Sequence, residues 1–197
     1  MNSIDAQPNN LCIQNITQEE FNRYSIHSNY NRCSNFESLN PKGFNCMGYV
    51  LDMYCWLHPI GSDNESISKL LKEIHREDLI NNIEVRTSME KSLKTCDYTN
   101  PYLCSILTSR LLNCFPQLHI IETFNELNLD EYGISFSSGN GDFHFIRYEY
   151  GKFSHKVADE PISFIHSEEE AFLPRYNGKI IRFAMKKENR LFKPSNL

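Results

Sequence analysis

The sequence predicts a single α+β domain, with helices in its first part and an antiparallel sheet in the rest. Three observations lead to this prediction. Apolar residues recur at helical spacing before residue 115, whereas short runs rich in β-branched and aromatic residues follow it. Turn signals separate those runs closely enough for antiparallel hairpins. A chain of 197 residues suits one domain, and we expect residues 1–15 and 186–197 to be flexible arms.

The helices are predicted from capping residues and apolar periodicity. Their predicted first residues or caps are Thr17, Cys46, Ser66, Asp78 and Asn100. Thr17 begins a capping box, and Pro101 occupies a first helical position, where its missing N–H costs nothing. The apolar stretch after Cys46 predicts one buried helix that ends near His58, because Pro59 restricts the residue before it.

The strands are predicted from β-rich runs between turn residues. The runs are Leu118–Phe124, Tyr132–Ser137, Phe143–Tyr150, Lys152–Val157, Ile162–Ile165 and Lys179–Met185. Turns are predicted at residues 139–142 and at Tyr150-Gly151. The acidic run at residues 168–170 is interpreted as a solvated helix start or loop.

Composition excludes several classes of function. A net charge of -5 and a pI near 5.8 argue against a general binder of nucleic acid or anionic membranes. No apolar run approaches the roughly 18 residues that a membrane helix needs. The first residues lack the pattern of a signal peptide, so we expect a cytoplasmic protein, or one secreted into a host cell without a cleavable signal.

The seven cysteines are odd in number and contain no C-x-x-C pair, which favours free thiols over a disulfide framework. Thiolate and imidazole would suit zinc, but the sequence lacks paired ligand spacing. We therefore expect no metal and no cofactor.

Cys46 is the candidate nucleophile. It follows a Pro-Lys-Gly-Phe turn and opens the apolar stretch, which places it on the first turn of a helix. The unpaired N–H groups and the dipole at that end favour a thiolate, so we expect a lowered thiol pKa. The alternative is an ordinary buried cysteine.

His144 and His155 are eleven positions apart, on two runs joined by the Tyr150-Gly151 turn. Two histidines that share a face of paired strands can touch. One can then act as a base while the other orients it. Taken singly, each is more simply a structural or surface residue, so the hypothesis depends on the combination.

A cysteine at a helix start, a histidine on a strand and a polar residue on the next strand resemble the papain-like cysteine peptidases. The Cys–His–His combination resembles the NlpC-like branch, and the segments around Asn45-Cys46 and Ser154-His155-Lys156 also resemble a group of uncharacterised microbial proteins. The resemblance covers roughly residues 40–58 and 132–165. It implies a helical half packed on an antiparallel sheet, with the active site between them.

The same resemblance implies roles for residues. Cys46 becomes the nucleophile, His144 the base and His155 the orienter, with Asp159 as a competing third member. The oxyanion hole would use the backbone N–H of Cys46 and one further donor. Asn40 lies at a papain-like offset, but no surrounding motif supports it.

These residues predict a cysteine-dependent hydrolase that cleaves an amide bond through a thioester, as a thiol protease or a glutamine deamidase. Its partner would be a protein or peptide, and a bacterial effector acting on a host protein is one form of this hypothesis. A catalytically silent protein-binding domain, with aromatic contacts from Tyr24, Tyr30 and Phe36, is the alternative of another class. A cell-wall peptidase is a third.

Overall fold

A computed structural model describes residues 12–14, 44–52, 56–58, 60, 66–173 and 175–187. Its helices are α1 Cys46–Val50, α2 Ile67–Glu73, α3 Ile83–Lys94, α4 Pro101–Cys114 and α5 Glu168–Phe172. Its strands are β1 Cys12–Gln14, β2 Trp56–His58, β3 Leu118–Ile121, β4 Glu131–Gly139, β5 Asp142–Glu149, β6 Lys152–Lys156, β7 Ile162–Ile165 and β8 Ile181–Lys186. Short 3₁₀ turns lie at Glu77–Leu79 and Phe124–Glu126. The predicted α+β class is confirmed.

The main sheet has six strands in the order β3-β8-β4-β5-β6-β7, and every neighbouring pair is antiparallel. Its two central hairpins close through two-residue turns at Asn140-Gly141 and Tyr150-Gly151. All four turn residues have positive φ, as a type I′ turn requires. Since such turns fix the register, they determine which residues of β5 and β6 share a face.

One face of the sheet carries the helices α1 to α4, and the main apolar core lies between the two layers. Phe136, Phe145 and Phe183 project from the sheet into this core. The other face is covered by α5 and by Tyr176, which form a second, smaller cluster with Ile146. The molecule therefore has a helix-covered face and an opposite face that α5 covers in part.

Helices α1, α2 and α4 begin where the sequence predicts. Asn100 accepts from the N–H groups of Tyr102 and Leu103, and Pro101 is the first residue of α4. The amphipathic helix at Ser66 is also confirmed, as α2. The helical stretch expected from Asp78 divides into a 3₁₀ turn and α3. In the acidic run, Glu168 is buried and the residues form α5, so the solvated interpretation is wrong for Glu168.

The prediction of one long helix from Cys46 to His58 is wrong. α1 has five residues, and Trp56–His58 instead forms β2, which pairs with β1. Asp52 explains the early end, because its φ of 59° lies outside the helical region. Its carboxylate binds Arg147 on β5 at 3.0 Å, and both side chains are fully buried. The buried ion pair thus fixes the end of α1 against the sheet.

Several predictions fall outside the described residues, namely the helix at Thr17, Asn40, and the aromatic residues Tyr24, Tyr30 and Phe36. Within the segments expected to be arms, residues 12–14 and Lys186 belong to strands. No helix in the described part of the chain is long and apolar enough to cross a membrane.

Candidate active site

The entry to α1 is fixed by Asn45, a residue whose structural role the sequence analysis did not identify. Its Oδ1 accepts from the N–H of Gly48 at 3.0 Å and from the N–H of Leu57 at 3.2 Å. Its Nδ2 donates to the carbonyl of Leu57 at 2.6 Å. Asparagine is a favoured helix N-cap, so a signal was present in the sequence. Through these bonds Asn45 holds the first turn of α1, and with it Cys46, against β2.

The Cys46 sulfur lies at the edge of β5. Residue pairs between β4 and β5 alternate between hydrogen-bonded and non-hydrogen-bonded, beginning with the hydrogen-bonded pair Gly139–Asp142. The N–H of Phe145 therefore points away from β4 and toward β6. Pairing of β6 with β5 runs only as far as His155, opposite Ile146. The Phe145 N–H therefore lies where the two strands part, and it approaches the Cys46 sulfur. This places the thiol beside the peptide bond that joins His144 to Phe145.

The Cys46 thiol is held in its neutral form. Burial raises its pKa to about 12, and the nearby Asp142 carboxylate also raises it, although the N–H groups of Phe145, Met47 and Cys46 lower it. The expected lowering of the thiol pKa is thus wrong in sign. Only 7% of Cys46 is exposed, and a helix of five residues offers little opposing dipole.

His144 and His155 lie on the same face of the sheet and are in contact. His155 is opposite Ile146, so His144 is its diagonal neighbour. Nε2 of His144 lies 3.1 Å from Nδ1 of His155, and the rings meet edge to face. The expected contact between the two histidines is confirmed.

His144 is buried and neutral. Only 3% of His144 is exposed, and Tyr176 stacks on its ring with a centroid distance of 5.3 Å and an interplanar angle of 14°. Burial lowers its pKa to about 3, with further lowering from the charges of His155 and Arg175. Burial also lowers the pKa of His155, while Glu170 acts in the opposite direction. At neutral pH the site therefore contains a thiol and uncharged imidazoles.

Asp159 lies elsewhere. It is exposed in the turn after β6, and its charge opposes the lowering of the Lys156 pKa that burial causes. Of the two candidates for the third position, His155 is the one whose ring contacts His144.

Tyr176 and Asp142 complete the surroundings of His144. The Tyr176 hydroxyl donates to Oδ2 of Asp142 at 3.1 Å, and Arg175 forms an ion pair with the same oxygen at 2.9 Å. Burial raises the pKa of Tyr176 well above its usual range. Sequence analysis missed Tyr176, because it lies on an irregular segment where no periodicity predicts which side chains face the sheet.

In the part of the chain that the structure describes, no group of three or more His, Cys, Asp or Glu side chains is placed to hold a metal ion. The comparisons with known proteins identify no relative: no family model, no curated protein and no solved structure matches the chain.

Proposed function

We propose that the chain is a cysteine-dependent hydrolase of amide bonds with a papain-like arrangement of Cys46, His144 and His155. One observation carries this proposal: the Cys46 sulfur lies against the N–H of Phe145, directly beside a histidine whose ring is held by a second histidine at 3.1 Å. A nucleophile at the edge of β5 and, on the same strand, a base whose ring contacts an orienter are the components that acyl transfer requires.

The tautomers follow from the contact. If Nε2 of His144 carries the proton donated to His155, the Nδ1 atom of His144 keeps its lone pair and can accept a proton from the thiol. His155 then fixes both the orientation and the tautomer of the base. This division of roles is the one that the resemblance to papain-like peptidases implies.

In the reaction, the Cys46 sulfur bonds to the carbonyl carbon while the thiol proton passes to Nδ1 of His144. The C–N bond then breaks, and the leaving amine takes that proton, which leaves a thioester. Water attacks the thioester with His144 as base, giving a carboxylic acid and restoring the thiol. The backbone N–H of Cys46 is the candidate donor to the carbonyl oxygen during both attacks.

The substrate would be a peptide bond or the side-chain amide of a glutamine in a protein. Because Cys46 and His144 are 7% and 3% exposed, binding of the substrate must displace the groups that cover them. Tyr176, stacked on His144, is the first group that has to move. An effector role against a host protein, either in the cytoplasm or after delivery into another cell, is the biological form that we propose for this activity.

A binding domain without catalysis is the second candidate. The observation that favours it is the uncharged state of the resting site, with a thiol pKa of about 12 and a His144 pKa of about 3. In an enzyme, binding of the substrate would have to promote proton transfer from the thiol to the imidazole. In a binding domain without catalysis, the two groups would stay uncharged.

A peptide-based electrophile tests the proposal. We would incubate the protein with a library of peptidyl acyloxymethyl ketones and map the modified cysteine by mass spectrometry. Cleavage of peptide amides and release of ammonia from glutamine peptides would be assayed in parallel. We expect modification at Cys46 by a subset of the library and turnover of matching amides, both lost in His144→Ala. Cys104→Ala, a change in a half-buried helical cysteine, is the matched control and should retain both. Failure of every library member to modify Cys46 would favour the silent domain.

A further inference from the structure

We propose that Lys156 is the electrostatic partner of Cys46: its ammonium group, on the helix-covered side of β6, provides the counter-charge to the sulfur when the thiol loses its proton. In catalysis this inference rests on the proposed function, but the pairing itself is a property of the folded protein. It gives the site a cation that neither histidine supplies.

Lys156 is buried without a carboxylate partner. None of its surface is exposed, and its Nζ donates to the carbonyl of Ala158. The ammonium also lies 5.1 Å from the centroid of the Phe44 ring. Among the described residues, no carboxylate oxygen lies within 4.0 Å of this nitrogen. Fully buried lysines are rare unless they are paired, so the placement of Lys156 calls for an anion nearby.

Two contacts place that ammonium at the start of α1. Lys156 lies against Phe44, two positions before Cys46 in the chain. Ser154, on the same face of β6, shares a hydrogen bond of 2.7 Å with the hydroxyl of Tyr49, three positions after Cys46. The contacts from β6 therefore lie on both sides of Cys46 along the chain. The Phe145 N–H, from the neighbouring strand, approaches the sulfur between them.

The charge of the sulfur and the charge of the amine are coupled. Burial lowers the pKa of Lys156, whereas the negative charges of Asp159, Cys46 and Glu160 raise it. Coupling between two titrating groups is reciprocal, so the ammonium must favour the Cys46 thiolate by the same free energy with which the thiolate favours the ammonium. Burial is the largest influence on the sulfur, which is why the thiol pKa is raised.

Among the residues that the structure describes, the other charged groups near the sulfur do not supply a counter-charge. Asp142, from β5, opposes the thiolate, and Arg175 is paired with that carboxylate at 2.9 Å. Tyr176 keeps its proton because its pKa is raised. His144 has a pKa of about 3 and stays neutral until a substrate changes its surroundings. Lys156 is thus the cation best placed to stabilise the sulfur while its proton is transferred.

The pH dependence of Cys46 alkylation tests this inference without a substrate. Iodoacetamide labelling, followed by peptide mass spectrometry, gives the rate constant at Cys46 from neutral to alkaline pH. We expect Lys156→Met to displace this profile upward by about one pH unit, so that labelling at a given pH slows about tenfold. Lys152→Met is the matched control, an exposed lysine on the same strand and face, and it should leave the profile unchanged. A folded Lys156→Met protein with an unshifted profile would overturn the inference.

A second measurement uses the native sequence, should the methionine variant fail to fold. Cysteines are labelled either with iodoacetate, which leaves an anion, or with iodoacetamide, which leaves a neutral group of nearly the same shape. The pKa of Lys156 is then read from the NMR signal of its ε-carbon. We expect a higher pKa in the anionic form by about one unit, with no change at Lys152. Equal pKa values of Lys156 in the two forms would reject the pairing.

These results separate the two proposals. If Lys156 responds to charge at Cys46 but no amide is turned over, the proposed function fails while the pairing stands. If amides are hydrolysed and Lys156→Met keeps the native labelling profile, the pairing fails while the function stands.

Discussion

Nε2 of His144 lies 3.1 Å from Nδ1 of His155, across the diagonal of two adjoining strands. His144 is buried and His155 is half-buried. Because the two rings are in contact, His155 restricts the orientation of the His144 ring. The contact also commits Nε2 of His144, which leaves Nδ1 as the nitrogen that the proposed reaction would use. In the proposed reaction, a base that is fixed in this way would lose little entropy when a substrate binds.

Replacement of His155 should slow catalysis by less than replacement of Cys46. His155→Ala removes the acceptor for Nε2 of His144, so that the base loses its tautomer preference but keeps its place under Tyr176. We expect a loss of about tenfold to a hundredfold in kcat/KM, against complete loss for Cys46→Ala. His155→Asn, which retains an acceptor, should recover part of the rate.

The matched control is His166→Ala, which alters an exposed histidine just beyond β7. Ring ¹⁵N shifts of His144 give an independent measure of its tautomer. An unchanged tautomer and rate in His155→Ala would show that His155 does not orient the base.

Cys46 should react slowly with iodoacetamide at neutral pH. Its raised pKa leaves almost no thiolate, and only 7% of the residue is exposed. We therefore expect the half-buried Cys96 to be labelled faster than Cys46. Time-resolved labelling with peptide mapping measures both rates in one sample. Preferential labelling of Cys46 would mean that the thiol is activated before any substrate binds.

Disruption of the Asp52–Arg147 pair should destabilise the fold strongly. Arg147→Met removes the cation that is paired with the buried Asp52 carboxylate, which costs about 3–5 kcal/mol of unfolding free energy. Arg76→Met, in the exposed pair with Asp78, is the comparison and should cost much less unfolding free energy, because water screens an exposed pair. Urea denaturation at neutral pH measures both changes. Equal losses for the two variants would contradict the structural role that we assign to Asp52.

Acid should destabilise the protein through His144. Its pKa is about 3 in the folded state and near 6.5 when exposed, so the unfolded chain binds the proton more tightly. The contribution of the neutral ring to stability is therefore complete above pH 6.5 and is lost as the pH falls from there toward 3. The loss approaches about 1.4 kcal/mol for each pH unit in that window.

Urea unfolding between neutral pH and about pH 5 measures this slope. His144→Gln should flatten it, whereas His166→Gln, at an exposed position, should leave it as in the native protein. An equal slope in native protein and His144→Gln would assign the acid sensitivity to other groups.

Local sequence signals predicted much of the site. The hairpin and the contact of its two histidines follow from strand alternation around Tyr150-Gly151, because a two-residue turn fixes the register. The early end of α1 could not be predicted, since Asp52 leaves the helix to meet Arg147, which is 95 positions away. The raised thiol pKa also depends on burial by distant segments. Local rules describe a cysteine at a helix start, but not how much water reaches it.

The opposite directions of His155 and Lys156 limit how the hairpin could change length. These neighbours point to opposite sides of β6, one toward His144 and the other toward Phe44. Insertion of a single residue within β6 ahead of His155 would turn His155 toward the helix-covered face and Lys156 toward the opposite face, so that each side chain would lose its present contacts. Two inserted residues would restore the sides but move both groups along the strand. Among homologues, we therefore expect insertions and deletions to occur in loops away from this hairpin.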